Sequence, residues 1–538
     1  MPAAGREMLA HTPAAGGLRT AAWARVRDWR AQYAPGGGQE TIQRMSSAIN
    51  KSDAAAAARP SLLRQLCAVK PIDPAPAGKG RLKQVLSARA LIAIGLGATI
   101  GSGIFVLTGT VAANHSGPAI TLSLLVAAFG GGLAALCYSE FAAFLPVPGS
   151  AYSYTYATLG EALAWFIGWN LLLEYAISAS AVAVSWSAYV VSLLNDAHIH
   201  LPTQFINAPL GLDAHDHVIP TGALVNLPAV LIVAAMTALL YVGVRGSAGA
   251  NSFMVALKVG IIIIIVIAGL SYVDTANWHP YVPPNTGQRG HFGWTGVMQG
   301  AAIIFFSYVG FDTASTTALE ARNPQRDLPI GIIGALLISA VLYVAMSAVL
   351  TGMVPYPKLD SDAPVAMALD MHPQLSWLSP LLKIGVIAGM TSVILTSLLG
   401  QPRILLSMAD DGLLPPFMSR CHARFKTPHV STVITGVFAA LIAAVFPLDL
   451  LTDLISMGIL LAFGVVCAGV LVLRYTRPDA PRPFRVPWAP VTCVLGTVVC
   501  LGMTYFLSGA TWMRLVIWTA LGMSIYAFYG FRHSRLRQ

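Results

Sequence analysis

Charge is what this sequence has least of. Only 10% of its 538 residues are Asp, Glu, Lys or Arg, against 56% hydrophobic residues, a balance that excludes an ordinary soluble domain and a charge-rich disordered chain. Cysteine is also scarce: Cys67, Cys137, Cys421, Cys467, Cys493 and Cys500 show no metal-ligand spacing, and none falls in an expected outer loop, so neither a disulfide nor a metal site is expected. The sequence lacks a Ser-His-Asp spacing, paired catalytic carboxylates and clustered histidines, which argues against an enzyme. Its first 60 residues lack the apolar core of a cleavable signal peptide.

What is present instead are apolar blocks of 18 residues or more, the mark of a polytopic membrane protein. They divide into twelve expected spans, near 90–113, 118–145, 160–194, 223–243, 248–272, 294–319, 329–353, 379–410, 429–447, 451–474, 489–508 and 512–531. Residues 1–89 form a tail with 14 Lys and Arg against 5 Asp and Glu, a surplus of +9 out of the chain's +10. The tail is rich in Ala, Pro and Gly and carries no nucleic-acid-binding motif, so no nucleic-acid partner is expected. Its charge instead sets orientation, with both termini cytoplasmic, including a short tail at 532–538; only Arg289, Lys358, Lys383 and Arg514 then lie outside. From Leu62 to Arg89 a short amphipathic helix along the lipid surface is expected, and the Tyr- and Ser-rich loop Ser150 to Gly160 suits a headgroup anchor. Met45 is a second candidate start, which would leave 1–44 as upstream sequence.

The informative stretch runs from Gly95 to Phe105, with four glycines in nine residues at the depth of a bilayer. Glycine costs about 1 kcal/mol per helical position against alanine, so this predicts an unwound segment. Its bare amides and carbonyls must be satisfied by something other than lipid. A bound zwitterion suits them, carboxylate on amides and ammonium on carbonyls; close helix packing through small residues is the alternative. Span six offers a second break at Phe305-Phe306-Ser307-Tyr308-Val309-Gly310-Phe311-Asp312. Asp312 is expected to cap the second half-helix, accepting from an amide near Ala314 or Ser315. Breaks in spans one and six predict an all-α membrane fold of two inverted five-helix repeats, 90–272 and 294–474, with two peripheral helices in 489–531.

Two ionisable residues lie deep in apolar runs. Glu174 in span three must be protonated, paired or facing a wet cavity. Lys258 in span five sits roughly 15 Å from either surface, too far for its stem to reach water, and lysine readily changes its proton affinity when buried. It is a candidate for gaining and losing a proton. In span eight the hydroxyls of Thr391, Ser392 and Thr396 either line a cavity or bond to their own preceding carbonyls. Arg403 could pair with Glu320 or Glu140 as an inner gate.

In this order and spacing, Ile100-Gly101-Ser102-Gly103-Ile104-Phe105, Pro146-Val147-Pro148-Gly149-Ser150-Ala151-Tyr152, Gly310-Phe311-Asp312, Asn323-Pro324-Gln325-Arg326-Asp327-Leu328-Pro329 and Ala409-Asp410-Asp411-Gly412-Leu413-Leu414-Pro415 carry a resemblance. The chain resembles the amino acid/polyamine/organocation superfamily, and within it bacterial members of the cationic amino acid transporter branch. The resemblance implies secondary active transport of L-amino acids across the bacterial inner membrane, with a proton as coupling ion and no cofactor. It places the substrate carboxylate on the amides of Gly101, Ser102 and Gly103 and the ammonium on carbonyls near Ile100, Phe306, Ser307 and Val309, with Phe306 as outer gate and Lys258 standing in for a sodium ion. Glu174 offers a cationic side chain a partner, whereas Met390, Val393 and Leu395 are apolar. A broad neutral specificity is expected, with cationic transport, exchange, and a channel or sensor as alternatives.

Overall fold

The computed structural model describes residues 66–71, 86–147, 149–212, 218–243, 247–288, 290–425 and 427–537. The tail 1–65, most of the expected interfacial helix, and Arg289 lie outside these residues. Eight described helical segments are long and apolar enough to cross a membrane, and four shorter apolar helices accompany them.

In chain order the helices of seven residues or more are α1 (Ala88–Thr99), α2 (Ile120–Phe144), α3 (Ser150–Thr158), α4 (Glu161–Asp196), α5 (Leu227–Val242), α6 (Ser247–Leu270), α7 (Gly293–Ile304), α8 (Pro324–Met353), α9 (Pro364–Asp370), α10 (Leu378–Asp410), α11 (His429–Val445), α12 (Leu448–Thr476), α13 (Ala489–Thr504) and α14 (Gly509–Ile525). Their ends follow local chemistry. Ser87 accepts the Ala90 amide at the start of α1, and Asn226 accepts the Ala229 amide at the start of α5. Pro324 opens α8, where its missing N–H has no intrahelical partner to lose.

Two departures from expectation stand out. A small antiparallel hairpin, β1 (Leu210–Leu212) with β2 (Val218–Pro220), decorates the loop between α4 and α5. The stretch 150–158 is the helix α3, and Tyr152, Tyr154 and Tyr156 are buried. Those tyrosines are therefore core residues, Tyr138 meeting Tyr154 edge-on and Phe141 stacking on it, and not headgroup anchors.

Small residues let the helices that carry the breaks come close. A Cβ on Gly95 would lie 2.6 Å from Ala335 on α8, and one on Gly331 would lie 2.7 Å from Leu91 on α1. The segment 66–71, α3, the turn after α10 and the segment after α14 interlock on one face of the bundle, here termed the terminal face. The loops before α5, before α7 and before α9 lie on the other, where Lys383 holds Asp196 at 2.6 Å and Asp370 at 3.5 Å.

Candidate functional site

Helix α1 stops at Thr99 because Ile100 turns extended (φ −77°, ψ 98°), and winding resumes at Ser102 and continues as a π-helical turn, Gly103–Leu107. Such turns are frequent at functional sites. The carbonyls freed by this break are taken from inside the protein. The Lys258 Nζ donates to the carbonyls of Gly97 and Ile100, each at 2.9 Å. α6 thus turns this lysine inward, only 1% exposed, and its stem lies where a Cβ on Gly389 of α10 would sit 2.9 Å from its Cγ.

The second break follows a short 3-10 turn, Phe305–Tyr308: Val309 is extended (φ −64°, ψ 137°), Gly310 has φ +120°, and winding resumes at Thr313. The two breaks touch. A Cβ on Gly310 would lie 2.6 Å from the Ala98 carbonyl carbon, and one on Gly103 would overlap Ser307. Asp312 makes no side-chain cap, contrary to the expectation from its position; it accepts the Tyr175 hydroxyl at 3.3 Å.

Between the breaks stands a residue that sequence reasoning missed. The Tyr343 hydroxyl on α8 reaches the Thr99 carbonyl at 2.9 Å and the Ser307 carbonyl at 3.0 Å, one from each break. It has a single proton for two acceptors, so it ties the segments without saturating either. Tyr343→Phe removes the one donor that these two buried carbonyls share, at about 1–3 kcal/mol. Transport at saturating substrate is expected to fall on the order of tenfold, with a lowered Tm; unchanged uptake would contradict the bridging role.

The residues singled out from sequence fall into two groups. Ile100, Gly101, Ser102, Gly103, Phe306 and Ser307 are buried at the meeting point of the breaks, with Gly101 against Val393 of α10. The Ser102 and Ser307 hydroxyls are buried there without a hydrogen-bond partner. Met390, also on α10, is fully buried. Glu174, Val309 and Asp312 instead line a cavity together with Tyr175, Ser178 and Ser397. Its volume of about 20 Å³ for water centres admits a water or two, and one Glu174 oxygen in this region has no partner.

In α10 the hydroxyls of Thr391, Ser392 and Thr396 bond to the carbonyls of Ile387, Gly389 and Ser392 or Val393, their own helix. Arg403 faces Glu320 at 3.8 Å. Glu140 is instead held by Arg474 at 2.5 Å and Arg482 at 3.4 Å, so of the two carboxylates it is Glu320 that faces Arg403.

Comparison with known proteins adds three kinds of relative. The amino acid permease family matches over residues 86–526. The chain is 43% identical to a methylthioribose transporter of Bacillus subtilis (strain 168) over 457 residues, 85% of this chain and 95% of that one. It is 42% identical to a branched-chain amino acid permease of the same strain over 465 residues, 86% and 97% of the two chains. A vacuolar cationic amino acid transporter of Arabidopsis thaliana is 39% identical over 404 residues, 75% of this chain and 65% of the transporter. All three relatives are named as transporters or permeases.

Proposed function

The chain belongs to the amino acid permease family, and from that premise we propose that it is a proton-coupled carrier that takes up neutral L-amino acids by alternating access. In this reading it crosses the bacterial cytoplasmic membrane twelve times. Residues 90–272 and 294–474 form inverted repeats, 489–531 are peripheral, and the terminal face is cytoplasmic, in keeping with the basic surplus of residues 1–89.

One observation carries the reading: two breaks meet in the bundle interior, and a buried lysine holds the carbonyls of one of them. The substrate carboxylate takes the amides of Gly101, Ser102 and Gly103, and its ammonium takes carbonyls near Phe306, Ser307 and Val309. The Ile100 carbonyl belongs to the same set: Lys258 occupies one of its two lone pairs and the other remains for the substrate ammonium, which links the lysine's proton to the site. Charged, the ammonium fills the place of a small cation between two carbonyls; neutral, it donates fewer hydrogen bonds and holds them less. Phe306 covers the site as outer gate, and Arg403 with Glu320 closes the inner mouth.

Met390 and Val393 give the side-chain pocket an apolar wall, which favours neutral substrates including branched-chain ones, as in the relative named for them. Glu174 and Asp312 on the adjacent cavity favour a second reading, a cationic substrate. Reconstitution into proteoliposomes separates the possibilities. Leucine uptake driven by an inward proton gradient and stopped by a protonophore is the expected result. Arginine uptake exceeding leucine uptake would favour the second reading, and counterflow indifferent to the protonophore, with no net uptake, would point to an exchanger.

A further inference from the structure

The corner between α3 and α4 holds a buried charge remote from the site just described. Glu161 opens α4, thirteen residues before Glu174 and so roughly 20 Å from it along the helix. It is fully buried, yet it accepts from the Tyr526 hydroxyl at 2.7 Å, the Tyr156 hydroxyl at 3.0 Å, the Arg537 Nη2 at 2.7 Å and the Ser534 hydroxyl. A helix start favours an anion through its own amides. Four side-chain donors go beyond that need, and three of them come from the segment after α14. Arg537 is further held over the Phe531 ring at 3.7 Å.

A second carboxylate repeats the pattern beside it. Asp411, directly after α10, accepts Lys70 Nζ at 2.6 Å and the Tyr152 hydroxyl at 2.8 Å, and its carbonyl accepts the Arg535 amide at 3.1 Å. The backbone is cut to fit both incoming segments. Gly160 (φ +103°) lies where a Cβ would be 2.8 Å from Cys67, and Gly412 (φ +79°) where one would be 2.2 Å from the His533 carbonyl. The Lys70 amide donates to the Tyr156 carbonyl and the Glu161 amide to that of Ala68, each at 3.0 Å.

The two carboxylates stand at the ends of the two helices that wall the candidate site, α4 with Glu174 and α10 with Met390 and Val393. Arg403 of the inner gate is eight residues, about 12 Å, before Asp411. A shift of α10 that carried Arg403 away from Glu320 would also move that end, which is pinned.

We propose that Glu161 and the Asp411 carbonyl form a socket for a cationic peptide segment, that its occupant is the chain's own 531–537, that Lys70 on the Asp411 carboxylate steadies it, and that this clasp slows opening of the terminal face. The inference rests on the transport reading for its rate, though not for its contacts. The test uses the full chain in proteoliposomes, as wild type, Arg537→Ala, Arg537→Lys and Lys70→Ala, the last a half-exposed side chain whose loss leaves the fold intact. Hydrogen exchange over 531–537 and the maximal rate and KM of uptake are measured. Arg537→Ala should lose protection in 531–537 and raise the maximal rate about two- to fivefold at unchanged KM, with Lys in between and Lys70→Ala also faster. Lost protection with an unchanged or lower rate, or a wild type unprotected at 531–537, overturns the clasp. Hydrogen exchange reads the contact without any substrate, so a chain that carries no amino acid would sink the proposed function and leave this arm standing.

Discussion

Lys258→Ala is expected to abolish uphill transport. One proton moving inward yields about 2.3 kcal/mol per 100 mV, enough for a roughly fifty-fold accumulation of a neutral solute, so the accumulation ratio should collapse from that order to one. The geometry says why alanine cannot substitute. The carbonyls of Gly97 and Ile100 face a donor that is gone, and each loses a charge-assisted bond in a buried setting. Lys258→Gln separates structure from coupling, since it supplies donors that do not titrate. If Gln restores the fold and counterflow but no proton-driven accumulation, the lysine couples. Accumulation by either variant under a pH gradient alone would remove Lys258 from the mechanism.

Gly310→Ala should be nearly as severe, for a different reason. At φ +120° an L side chain is strained, on the order of 1–3 kcal/mol. Its Cβ would also lie 2.6 Å from the Ala98 carbonyl carbon and 2.7 Å from the Thr99 amide nitrogen. Both are backbone atoms of the last turn of α1, directly before the first break, where Lys258 holds the Gly97 and Ile100 carbonyls and Tyr343 that of Thr99. Uptake is expected to fall by at least about tenfold. Gly222→Ala controls for strain, because Gly222 also has positive φ (+82°) but nothing within 4 Å of the added Cβ; its uptake should match wild type. Equal losses in both variants would mean that conformational strain, and not the contact between the breaks, sets the cost.

The breaks were legible in the sequence because glycine is read against helix propensity, a local property. Lys258 was legible because a charge deep in lipid is costly wherever it lies. Tyr343 was not: a tyrosine in an apolar run carries no spacing signal, and its two acceptors lie 244 and 36 residues away. The tyrosines of α3 were misread since aromatic and hydroxyl residues suit a headgroup layer and a packed corner equally. Asp312 fitted a cap by position, yet the hydroxyl of Tyr175, 137 residues earlier, claims it. The Glu161 socket joins residues up to 376 apart, a pairing no local pattern encodes.

The central claim is that the meeting of the two breaks is where the substrate binds. The most direct measurement is a density map of the chain in a lipid nanodisc with saturating leucine. The account predicts ligand density with its carboxylate on the amides of Gly101 to Gly103 and its ammonium at the carbonyls of 306–309. Leucine density elsewhere in the molecule, or either break wound into an uninterrupted helix, would contradict it.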